Sequence, residues 1–129
     1  MPLKGQLVVS LVVAVLSCVP AQAEELNARQ LYAFCTSEDE VVKAACRFYV
    51  LGAATGIALG DGLTRGAEGN FVARKKTHFC MPDDTPQSAM VDAFVQSVRL
   101  LLTKYPEDLK LSAVSIVDAA MQQRFPCPR

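Results

Sequence analysis

Apolar residues recur at helical spacing along most of the chain, and polar, glycine and proline interruptions mark where one helix stops and the next begins. Asn27 precedes "ARQLYAFC", whose Leu31, Phe34 and Cys35 share one side of a short helix that Asn27 can cap. "SEDE" follows. Ser37 and Glu40 have the N-cap and N3 spacing of a capping box, and the acidic residues suit the positive end of a helix. A long helix is predicted from about Glu38 to Leu59, carrying Val41, Val42, Ala45, Phe48, Tyr49 and Gly52. From Gly60 to His78, "GDGLTRGAEGNFVARKKTH" holds four glycines, both signs of charge and too few apolar residues for any period, so it reads as an irregular loop. Next, Asp84 or Thr85 can cap a helix with Pro86 at its first position. Met90, Ala93, Phe94, Val98, Leu101 and Leu102 form its apolar stripe, and it ends near Lys104, before Pro106. A last helix spans roughly Leu109 to Arg124, with Val114, Val117, Ala120 and Met121 inward and "FPCP" as its stop. No segment alternates as a strand does. The predicted class is therefore all-α, a small single-domain bundle of four to five helices.

The first residues belong to a different pattern. Lys4 gives a positive start, and Leu7 to Val19 is an apolar run of 13 residues, too short for the roughly 20 that a bilayer span needs. Pro20 breaks the run, and "AQA" (Ala21, Gln22, Ala23) has the small-x-small form that signal peptidase cuts. Residues 1–23 are expected to be a cleaved signal peptide and residues 24–129 the domain. A buried core helix and a lipoprotein acylated at Cys18 are the competing readings. Leu16, two places before that cysteine, suits the second poorly.

Export changes how the cysteines are read. Cleavage leaves Cys35, Cys46, Cys80 and Cys127, an even number in an oxidising compartment, where three pairings are possible. The predicted layout selects Cys35–Cys46 and Cys80–Cys127. A tight turn makes the first two helices antiparallel, and Cys80 precedes the third helix while Cys127 follows the fourth. A metal site would need a spacing such as CxxC, which is absent, and no cofactor is expected. Residues 24–129 carry 12 basic and 13 acidic side chains, without the basic excess of a nucleic-acid binder.

"GAATGIALG" places Gly52, Gly56 and Gly60 four residues apart on one helical stripe, where each costs about 1 kcal/mol relative to alanine. The uncharged run from Phe48 to Gly60 is 13 residues, too short for a membrane span. The stripe, with Phe48, reads as a flat face that admits another helix closely. A helix of the same fold is the favoured neighbour, and the second subunit of a dimer is the other candidate.

Little in the sequence points to catalysis. His78 is the single histidine, and a His78–Cys80 thiol dyad fails if Cys80 is in a disulfide. Asp83–Asp84 and Glu38, Asp39, Glu40 sit where helix N-termini favour negative charge. Arg74, Lys75 and Lys76 form a short basic run, read as a solvated loop or as a contact patch for an acidic partner. No phosphate-binding glycine motif is present.

An ordered set of short pieces now matters. "FC" (Phe34, Cys35) ends the first helix, and "CRFYVLGAATG" gives C-x2-Y-x2-G-x3-G through Cys46, Tyr49, Gly52 and Gly56. "FCMP" (Phe79 to Pro82) and "KYP" (Lys104 to Pro106) bracket the third helix, and "AAMQQRFPCP" (Ala119 to Pro128) ends the chain. With these pieces the chain resembles the Rap/Tai family of immunity proteins, which protect bacteria from effectors of the type VI secretion system. The resemblance implies a small, exported, disulfide-stapled helical protein, often a homodimer. Its function would be to bind a peptidoglycan amidase in the periplasm and occlude that enzyme's groove, commonly with a loop. It implies an inhibitor, not an enzyme.

Within the loop 60–78, Thr64, Arg65, Glu68, Asn70, Phe71, Arg74 and Lys75 are the candidate contact residues, because loops on rigid frames commonly carry binding. Phe71 and Arg74 have side chains favoured as interface anchors. The alternative is a housekeeping periplasmic protein, such as an acid-stress chaperone, with no toxin partner.

Overall fold

A computed structural model describes residues 24–65, 67–68, 71–73 and 78–129. The expected signal peptide, with Lys4 and Cys18, lies outside the described residues. The element order is α1 (Ala28–Cys35), α2 (Glu40–Gly62), β1 (Leu63–Arg65), β2 (Phe71–Ala73), α3 (Gln87–Lys104), a 3-10 helix (Pro106–Lys110) and α4 (Ala113–Arg124).

α1 begins as its sequence predicts. The Asn27 side chain accepts from Gln30 N–H at 2.9 Å, and the Gln30 side chain accepts from Asn27 N–H at 2.9 Å, a reciprocal capping box. Asn27→Ala is expected to lower stability by about 1 kcal/mol, read as a shift of the urea midpoint. At α2 the cap differs from expectation. Asp39, not Ser37, accepts from the N–H groups of Val41 (2.8 Å) and Val42 (3.2 Å), while Ser37 accepts from Asp39 N–H. Glu40 is then free to pair with Lys43 at 2.5 Å, and that ammonium holds the Glu40 carboxyl below its ordinary range. α3 also starts without a side-chain cap. Pro86 occupies the N-cap itself, and neither Asp84 nor Thr85 caps the helix.

The predicted final helix is broken in two. The 3-10 turn 106–110 comes first, then extended backbone at Leu111, then α4. The break has a tertiary cause. Ala28 N–H donates to Leu111 carbonyl (3.0 Å), Ala113 N–H donates to Leu26 carbonyl (2.8 Å), and Asn27 and Ser112 form an antiparallel bridge. Those bonds require extended chain where a continuous helix would satisfy its own carbonyls.

The core is helical. α3 lies against α1, α2, α4 and the 3-10 helix, and Phe94 on it is fully buried. Leu31, Val50, Val98, Leu109, Val117 and Met121 close around the same centre. Two of the predicted inward residues, Leu102 on α3 and Val114 on α4, are instead about 40% exposed, and Ala113 and Ile116 take the inward places on α4.

Both disulfides form in the expected pairing. Cys35–Cys46 has a Cα separation of 5.0 Å and Cys80–Cys127 one of 4.7 Å, both within the usual range. The first staples α1 to α2. The second joins the approach to α3 to the tail after α4, beside a hydrogen bond from Cys80 N–H to Phe125 carbonyl (2.8 Å).

Candidate interaction surface

The segment expected to be an irregular loop contains paired strands. β1 follows α2 without a break and pairs antiparallel with β2, setting Leu63 opposite Ala73, Thr64 opposite Val72 and Arg65 opposite Phe71. A five-residue connection joins them, with a turn at Ala67 and Glu68, both exposed. Two glycines in that connection (Gly66, Gly69), between "LTR" and "FVA", are a legible hairpin signal. Three-residue strands are too short to show alternation, which is why the pattern hid them.

The hairpin collects several predicted contact residues. Thr64 and Arg65 lie in β1, Phe71 lies in β2 and Glu68 lies in the turn. Asn70, Arg74 and Lys75 lie outside the described residues, as does Lys76. Where the chain returns, His78 Nδ1 lies 3.5 Å from the Asp118 carboxylate of α4. Two residues on, Cys80 is fixed by its disulfide. The hairpin segment therefore springs from the end of a 23-residue helix and returns to a covalently stapled point.

The face that α2 presents to the core differs from the expected one. Cys46, Val50 and Ala54 are fully buried, while Val41 is 80% and Phe48 71% exposed. The Cys35–Cys46 bond requires Cys46 to face α1, which turns Val50 and Ala54 inward with it and the glycine stripe outward. Gly52, Gly56 and Gly60 are exposed, and a Cβ built on any of them meets nothing within 4 Å. The favoured neighbour, a helix of the same fold, is absent from the described residues. α2 is apolar on both sides, so periodicity alone could not choose its inner face. Residues Glu40–Gly60 are long and apolar enough to cross a membrane by length and composition, counting across Lys43 and Arg47, the second of which immediately precedes the shorter uncharged run Phe48–Gly60. One side of the same helix is nevertheless committed to the core.

Beside α2's open face runs a groove of about 810 Å³, with Leu51 and Ala58 on one side and Phe79, Met81 and Met90 on the other, next to the Cys80–Cys127 bond. The sequence carried no sign of it, because its walls come from α2, α3, the 79–85 connection and the tail at Pro126 and Pro128.

Cys80 is in a disulfide, so it offers His78 no thiolate. Asp118 has one oxygen toward His78 and the other buried, with no hydrogen-bond partner among the described residues. Tyr49 has its phenol pushed up by burial and, secondarily, by the Glu25 carboxylate, which keeps it neutral. Among the described residues no group of three His, Cys, Asp or Glu side chains gathers where a metal ion could sit.

Comparison with known proteins agrees with this picture. No curated protein and no solved structure matches the chain. The family of Rap1a immunity proteins, however, matches residues 27–127, from the Asn27 cap to the cysteine of the C-terminal staple. That span takes in all four helices, both disulfides and the hairpin, and the chain belongs to the Rap1a immunity protein family.

Proposed function

We propose that this immunity protein is exported to the periplasm and works there as a homodimer. In this reading it neutralises a peptidoglycan amidase delivered by a type VI secretion system, by binding the enzyme and catalysing nothing itself. The signal-like pattern of residues 1–23 supports export, and the two disulfides suit an oxidising compartment. The observation that carries the inhibitory reading is the hairpin. Its register sets Arg65 opposite Phe71, two residue types common at interface centres, on a segment anchored at both ends to a stapled frame. A pre-organised projection loses less conformational freedom on binding than a free loop.

The test is co-expression in the periplasm with candidate amidases, beginning with the product of any neighbouring gene, scored by survival and co-purification. Protection and a stable complex are the expected result. The triple variant Arg65→Ala, Phe71→Ala, Arg74→Ala is expected to stay folded and bind at least tenfold more weakly, since loss of even one interface anchor costs about 1–2 kcal/mol. Unchanged inhibition would remove the hairpin from the mechanism, and no protection against any amidase would sink the target assignment. The housekeeping alternative makes a different prediction, suppression of client aggregation at low pH with no enzyme partner.

A further inference from the structure

We propose that the open face of α2 is a self-association surface, on which two copies pack antiparallel about a two-fold axis at Gly52, each Phe48 seated over the partner's Gly56. The inference rests on the dimeric part of the function proposed above and not on the identity of the toxin. Val41, Ala45, Phe48, Gly52, Thr55 and Leu59 are spaced alternately four and three residues apart, the repeat that keeps one seam facing a partner helix. All except Thr55 are apolar or glycine, and all six are exposed, Leu59 at 59%. Lys43 and Arg47, the charged residues between 41 and 60, fall well off this seam at about 100° per residue. A surface helix ordinarily turns charge to water on such a face.

The shape identifies the occupant as a second copy. Phe48 is a large knob four residues before Gly52, and Gly56 is an open hole four residues after it. A two-fold contact requires that residue i meet j and j meet i. An antiparallel pair centred on Gly52 satisfies this, with 48 on 56 and 45 on 59. A parallel pair would set Phe48 against Phe48 and leave the glycines facing a void. Val41, Phe48 and Leu59 are 80%, 71% and 59% exposed on one face, and contiguous exposed apolar surface of this kind marks an interaction site on a soluble chain. The groove lined by Leu51 and Ala58 continues the apolar surface from the seam's edge.

The experiment uses residues 24–129 with both disulfides intact, sized by light scattering between roughly 1 and 100 μM, a range that spans ordinary dimer affinities. The parent is expected to be a dimer. Phe48→Asp and Gly56→Leu are each expected to weaken it at least tenfold while keeping the helical circular dichroism of the parent, because neither position packs inside the chain. Mixed Ala45→Cys and Leu59→Cys chains are expected to cross-link to each other, and neither to itself. A monomeric parent would overturn the proposal together with the dimeric reading, whether it stays free or partitions onto anionic phospholipid vesicles. A dimer indifferent to Phe48→Asp would overturn the face alone. Self-cross-linking of either cysteine variant would overturn the antiparallel register.

Discussion

Phe94→Ala is expected to lower the stability of the folded chain by about 4 kcal/mol, among the largest losses available to a single side chain. Phe94 is fully buried on α3, the helix that touches α1, α2, α4 and the 3-10 turn, and its ring belongs to the core cluster those elements build. The cost has two parts, the transfer of the ring's apolar surface and the cavity left behind. Both staples pin the surrounding helices, which limits how far they can collapse into the space. A domain of this size has about 5–15 kcal/mol of stability in total, so the variant sits near the edge of folding. Thermal unfolding followed by circular dichroism should show a midpoint about 15–20 °C lower. Phe94→Leu, which keeps most of the volume, should recover most of the loss. A fall of less than about 1 kcal/mol for Phe94→Ala would mean that the bundle centre is not where the packing places it.

Removing the Cys80–Cys127 staple by the double change Cys80→Ser, Cys127→Ser is expected to cost about 4 kcal/mol, against about 3 kcal/mol for the corresponding change at Cys35 and Cys46. The difference follows from sequence separation, 47 residues against 11, because the longer cross-link removes more freedom from the unfolded chain. A drop of roughly 2–3 M in the urea midpoint is the expected measurement. The long staple also holds the point to which the hairpin segment returns, two residues after His78. Its loss should therefore weaken toxin binding even at temperatures where the helices persist, whereas loss of the short staple should not. Equal effects of the two double changes on binding measured at low temperature would contradict this division of roles.

Much of the frame was legible because its signals are local. The Asn27 capping box, the apolar stripe of α3, the proline after Lys104 and the even cysteine count each act within a few residues or through simple pairing geometry. The larger errors were decided by contacts distant in sequence, and the cap of α2 by a local choice. The predicted last helix is interrupted because Leu111 and Ala113 are paired to Ala28 and Leu26. The cap of α2 lies two residues further along because the Asp39 carboxylate takes the Val41 and Val42 amides while Ser37 takes the Asp39 amide, a choice that turns on backbone geometry rather than residue type.

The candidate surface shows the same boundary. Composition alone marked residues 60–78 as the segment outside the core, and it identified Arg65 and Phe71 as potential anchors. Only the strand register sets them opposite one another. The sequence by itself determined the helical class, the cysteine pairing and the family, since these follow from periodicity, spacing and ordered motifs. It also established that α2 carries a glycine stripe. Which side of α2 faces the core was decided by tertiary structure. An all-round apolar helix has no preferred inner face until a covalent bond at Cys46 and the packing of Val50 and Ala54 against the other helices rotate it. Once that rotation is made, Phe48 and the glycines are turned outward, and a stripe that reads as internal packing becomes a surface waiting for a partner.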